Sequence, residues 1–254
     1  MPKFRDADME EKTLPNASFG YSATRIAELG ATEYTLVDLV VDISGSVAAF
    51  ASDMESAIRE VVNACKLSPR ADNLMLRVVL FNTQMQEFHG YKLLANCNLD
   101  DYKGFLNCGG GTALFDAAEN AVLAQVHYAG DLAKNDYAVN SLVVMVTDGC
   151  DNASAVRPAQ VRAALESAVK SEATESMVSI LIGVGTAFDP AVSGALTAFK
   201  DEAGINQYVE TKDASAKTLA KLAAFVSKSI SAVSNSLGSG AASQLLTPPA
   251  DLNI

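Results

Sequence analysis

Five oxygen-bearing residues carry the chemistry that can be read from this chain. Asp42, Ser44 and Ser46 occupy alternate positions of the segment 42–46, DISGS. Thr112 follows the run Gly109, Gly110 and Gly111, and Asp148 sits between Thr147 and Gly149. Carboxylates and hydroxyls are hard donors. A set free of sulfur and imidazole favours Mg2+ or Mn2+ over zinc, and magnesium asks for about six oxygens in near-octahedral geometry. Each residue also has a plainer account when taken singly. Asp42, Ser44, Ser46 and Thr112 are residue types that cap helices, and an Asp-Gly pair makes turns. Taken jointly, the plain accounts must explain why the three segments fall at one end of the same architecture.

That architecture is set by four apolar runs of strand length, 35–42 (TLVDLVVD), 74–81 (LMLRVVLF), 141–147 (SLVVMVT) and 177–184 (MVSILIGV). They are too continuous for half-solvated strands and read as parallel strands covered on both faces. Residues 207–210 add a short last strand. Between the runs, apolar residues recur at helical spacing. Val47, Phe50, Met54, Ile58, Val61 and Cys65 form one stripe, and Leu114, Ala118, Val122 and Val126 form another over 113–128. A third helix follows Pro158, which suits a first turn. Asp189 and Pro190 read as the cap and first residue of a fourth, which Gly204 stops. The last helix spans 215–237, with Leu219, Leu222, Val226, Ile230, Val233 and Leu237 on one side. Strand and helix alternating in this way predict an α/β fold. It is a Rossmann-like open, mainly parallel sheet with helices on both faces and one antiparallel edge strand around Phe88. Such sheets bind ligands at the carboxyl ends of their strands, where the three segments lie.

Residues 1–33 are polar without a sustained period and read as an N-terminal extension, 34–237 as the domain. Gly, Ser, Ala and Pro dominate 238–254, which reads as a flexible tail; its segment 245–249, LLTPP, reads either as a docking peptide or as a plain end. Asp38, inside an apolar run, requires a buried partner that the pattern does not name.

The three segments together resemble the metal-ion-dependent adhesion site of von Willebrand factor A and integrin inserted domains. The family pattern is D-x-S-x-S, a distant Thr, and a distant Asp after a central strand. Asp42, Ser44 and Ser46 match its first part, Thr112 its second and Asp148 its third, and the resemblance spans roughly 34–237. It implies the von Willebrand factor A fold and a Mg2+ or Mn2+ ion. The serines would touch the metal, while the aspartates commonly hold its waters. Neutral ligands leave the cation electron-poor on its open face, and the carboxylate of a Glu or Asp on a partner protein completes it. The resemblance also implies that the last helix can shift along the domain when a carboxylate replaces water.

Other readings use the same residues differently. Haloacid dehalogenase phosphatases place a second aspartate two positions after the first, where this chain has Ser44, so the proton donor of a hydrolase is absent. Neither a G-x-S-x-G elbow nor a G-K-[ST] phosphate loop occurs, and Gly183-Val184-Gly185 is a lone G-x-G. His89 and His127 stand without a nucleophile nearby in sequence. The expectation is a non-enzyme. An adaptor or scaffold whose metal is only structural, for example beside an AAA+ ATPase or in a stress-response module, is the alternative. With 19 Lys and Arg against 30 Asp and Glu, the net charge is −11, which speaks against nucleic acid. Cys65, Cys97, Cys108 and Cys150 form no C-x-x-C pair, and no apolar run is long enough to span a bilayer. The charged first residues lack the apolar core of a secretory leader, so the expected location is cytoplasmic.

Overall fold

The four apolar runs form the middle of one sheet. A computed structural model describes residues 6–15, 19–171, 173–239, 241, 243–249 and 252. Its strands are β1 (Met9–Lys12), β2 (Tyr21–Thr24), β3 (Glu33–Asp42), β4 (Leu74–Phe81), β5 (Met85–Leu93), β6 (Ala138–Thr147), β7 (Ser176–Gly183) and β8 (Gln207–Glu210). They lie in the order β1-β2-β5-β4-β3-β6-β7-β8. Strands β4, β3, β6, β7 and β8 run parallel, with Val40 beside Val79 on one side and Met145 on the other. This is the mainly parallel α/β sheet that the continuous apolar runs predict.

The helices are α1 (Ala51–Lys66), α2 (Leu114–Ala133), α3 (Pro158–Lys170), α4 (Pro190–Ala203) and α5 (Ala216–Ser239). Helices α1 and α5 cover one face, where Met54, Ile58, Val61, Leu222, Val226 and Ile230 meet Val37, Leu39, Val41 and Val144. The other face carries α2, α3 and α4, packed on Val40, Val143, Met145 and Leu181. Alternate residues of β3 therefore serve opposite cores, and burying each such side chain stabilises the fold by about 1.5–3 kcal/mol. Helix α4 begins as its residues dictate. Asp189 accepts from the Ala191 and Val192 amides, Pro190 follows, and Gly204 closes the helix at φ 73°.

Three features depart from the sequence reading. First, Phe88 does lie in a strand antiparallel to its neighbour β4, but β5 is interior rather than an edge. Strands β2 and β1, from a stretch with no sustained period, extend the sheet beyond it. Four-residue strands are too short for periodicity to reveal. Second, residues 45–50 form a 3-10 turn, and α1 starts at Ala51 rather than Val47. Third, described residues of 238–254 are anchored rather than free. Leu252 is 1% exposed, Leu246 packs on the core and its carbonyl accepts from Gln207 Nε2. Ser243 exchanges hydroxyl bonds with Ser176 and Ser236. Apolar burial outweighs the tail's flexible composition.

The partner of Asp38 is Arg77, and both are fully buried. The guanidinium donates to Asp38 Oδ1 at 3.1 Å, Glu87 Oε1 at 2.7 Å and Asn120 Oδ1 at 3.0 Å. Tyr91 donates its hydroxyl to Asp38. Glu87 in turn accepts from the amide and hydroxyl of Ser22, and Asn120 Nδ2 donates to Phe19 O. This buried network fastens β2 to the sheet. Complete burial pushes the Asp38 carboxyl up to about 6, against the charge of Arg77 and the hydrogen bonds from Tyr91 and Arg77.

Candidate metal centre

Strands β3 and β6 are parallel neighbours that end together, at Asp42 and Thr147. That places the 42–46 loop and the Thr147-Asp148-Gly149 turn side by side. Asp42 is 1% exposed, and each of its oxygens has a partner. Oδ1 accepts from the Ser44 amide at 2.7 Å, and Oδ2 accepts from the Thr147 hydroxyl at 2.6 Å. The Ser44 and Ser46 hydroxyls share a hydrogen bond of 3.2 Å, and Ser46 donates to Asp148 Oδ1 at 2.8 Å. Four of the five predicted residues thus lie on one chain of hydrogen bonds.

Thr112, 4% exposed, joins through its backbone. The glycine run before it lies along the first loop, with the Gly109 amide on Ile43 O at 2.8 Å and the Gly45 amide on Gly110 O at 3.2 Å. Gly110 adopts φ 83°, a conformation that favours glycine. Asn82 holds the same run from beside β4, donating to Gly109 O at 2.7 Å. On the other side the Thr112 amide donates to Asn152 Oδ1 at 2.8 Å, and Thr112 O accepts from the Asn152 amide at 2.9 Å.

Sequence reasoning missed Thr147 as the partner of Asp42 and missed the loop-holding roles of Asn82 and Asn152. Thr147 stood beside a predicted residue; the two asparagines carry no local signal. Asp151 and Asp116 serve the backbone around the start of α2. Ser154 accepts from the Phe115 and Asp116 amides at the start of α2 and bonds Asp151, while Asp116 accepts from the Ala155 and Val156 amides. His89 is buried between Tyr102 and Gly90 O, and burial lowers it to about 3. His127 bonds the Tyr21 hydroxyl.

The electrostatics are those of a site short of positive charge. Burial raises the Asp42 carboxyl, against the hydrogen bonds from Thr147 and Ser44, and the charge of Asp148 adds to the rise. Burial also raises Asp148, against its bond from Ser46. Among the described residues neither carboxylate has an ion pair with Lys or Arg. No three His, Cys, Asp or Glu side chains gather among the described residues in a way that would hold a metal by themselves. A cation here must therefore draw on hydroxyl oxygens, and Ser44 and Ser46 supply them between two carboxylates. The donor set fits a hard divalent ion.

No protein-family model matches this sequence, and no curated protein does. Solved structures match its fold. The minor pilin PilB from Streptococcus sanguinis aligns over 83% of this chain and 64% of its own, at 15% identity and TM-score 0.55. The pilus adhesin SpaC from Lactobacillus rhamnosus GG aligns over 91% of this chain and 36% of its own, at 10% identity and TM-score 0.58. Proximal thread matrix protein 1 from the mussel byssus, in a structure with a zinc-occupied MIDAS motif, aligns over 78% and 46%, at 19% identity and TM-score 0.50. This chain spans less than two thirds of each of these structures. At such identities the likeness defines the fold, which is von Willebrand factor A-like.

Proposed function

We propose that this chain is a metal-dependent protein-binding module. The Ser44, Ser46 and Thr112 hydroxyls hold Mg2+ or Mn2+, with Asp42 and Asp148 orienting them and the ion's waters. A Glu or Asp carboxylate of a partner protein completes the coordination. The observation that carries the reading is the hydrogen-bond chain Thr147–Asp42–Ser44–Ser46–Asp148, in which two partly desolvated carboxylates have no cationic partner among the described residues. A divalent cation held there would supply the missing positive charge and a Lewis-acidic centre for an oxygen ligand. The chain's own residues fix where the hydroxyls point. Asp42 is held by the Thr147 hydroxyl and the Ser44 amide, which fixes the start of the loop that carries the two serines. The zinc-occupied MIDAS motif of the mussel protein supports a divalent ion on this fold, and the pilus adhesin supports binding rather than catalysis.

Calorimetric titration of Mn2+ into chelator-stripped protein tests the reading, with Asp42→Ala and Ser44→Ala alongside. One saturable site, lost in both variants, is the expected result. Silent titrations of the unaltered chain refute it. Partner capture that survives EDTA would instead assign the ion a structural role.

A further inference from the structure

Thr112 is the one predicted ligand outside the side-chain hydrogen-bond chain, and something must hold it in place. We propose that Asn152 is a positioning residue, the clasp that fixes the Thr112 loop against the Asp148 loop and so assembles the centre. This inference rests on the metal reading above. Both peptide groups of Thr112 are taken by the Asn152-Ala153 segment. Its amide donates to Asn152 Oδ1 at 2.8 Å, and its carbonyl accepts from the Asn152 amide at 2.9 Å and the Ala153 amide at 3.2 Å. Asn152 belongs to the same loop as Asp148, so the clasp joins the second and third segments of the centre directly.

The fit is close enough to constrain a neighbour. A Cβ on Gly111 would stand 2.6 Å from Asn152 Oδ1 and 3.6 Å from Thr83 Oγ1. A side chain at 111 would therefore push the Asn152 carboxamide away from the Thr112 amide, and the Gly111 amide is held by Thr83 Oγ1 at 2.8 Å. Asn82 and Thr83 secure the glycine run from the β4 side, and Asn152 secures Thr112 itself. Asn152 is exposed, so replacing its side chain removes the Oδ1 bond to the Thr112 amide without emptying the core, while the two backbone bonds to Thr112 O stay. Aspartate at 152 keeps an acceptor at the same reach, whereas alanine has none.

The test follows Mn2+ uptake by the full chain through loss of the free-ion electron paramagnetic resonance signal, with melting temperature recorded for every variant. Asn152→Ala and Gly111→Ala are expected to weaken Mn2+ about tenfold or more, the usual size for a residue that orients ligands. Asn152→Asp is expected to return to within about threefold of the unaltered chain. Ala153→Asp in the Asn152→Ala background adds the same charge without the clasp and is expected to leave the loss in place. Asn152→Ala binding as tightly as the unaltered chain overturns the inference while the metal reading stands. So does Asn152→Asp binding as weakly as the alanine, or full recovery by Ala153→Asp. An unaltered chain that takes up no Mn2+ overturns both.

Discussion

Replacing Arg77 by methionine removes the cation from the centre of a fully buried network. Arg77 and Asp38 are both 0% exposed and Glu87 is 4% exposed, with guanidinium contacts of 3.1 Å and 2.7 Å to the two carboxylates. Breaking a buried pair costs about 3–5 kcal/mol, because the remaining charge has no water to return to. For a domain of this size each kcal/mol moves the melting temperature by about 2–4 °C, so the drop is about 6–20 °C. The pH dependence adds a second signature. In the folded protein Asp38 sits at about 6 against its ordinary 3.8, chiefly through burial. A raised acid is most stabilising while protonated, below about pH 4, and that contribution is lost as pH rises through the folded value. Without Arg77 the main downward influence on Asp38 disappears, so its folded value climbs further and the loss extends to higher pH. Thermal melts followed by circular dichroism at about pH 5 and about pH 8 measure both effects. The gap between variant and unaltered protein is expected to be wider at the higher pH. Adding Asp38→Asn and Glu87→Gln to the variant is expected to recover part of the loss. A gap below about 1 kcal/mol at about pH 8, or a wider gap in acid, refutes the reasoning.

Three further outcomes follow from single sites. Gly90→Ala would place a Cβ 2.0 Å from Ser22 O, so β2 cannot dock on β5 and limited proteolysis is expected to cut within residues 9–24 faster. His89, lowered to about 3 by burial, is expected to stay neutral at about pH 5 in a histidine NMR titration. A lowered base stabilises the fold above its ordinary value of 6.5, and this is lost only as pH falls toward the folded value. Leu252→Ala, at a position 1% exposed, is expected to cost about 2–5 kcal/mol in denaturant unfolding, and no cost would mean the tail does not pack.

Much of the frame was legible because it follows from local rules. A strand buried on both faces must be apolar along its length, so 35–42, 74–81, 141–147 and 177–184 could be placed from composition alone. Asp189, Pro190 and Gly204 delimit α4 because caps and stops are chosen by backbone geometry within a turn. The D-x-S-x-S spacing was visible because its residues are adjacent in the chain. The rest depended on contacts between distant positions, which no period encodes. β1 and β2 are four residues each, and their place beyond β5 rests on Ser22 meeting Glu87. The partner of Asp38 was unreadable because Arg77 lies on the neighbouring strand, brought opposite it only by register. Thr147 could not be matched to Asp42, nor Asn152 to Thr112, until β3 and β6 were side by side and the loops beyond them had met. The sequence by itself determined which oxygen donors exist and that they lie at strand ends. The tertiary structure decided which of them meet, because a hydrogen bond depends on distance in space and local periodicity reports only distance along the chain.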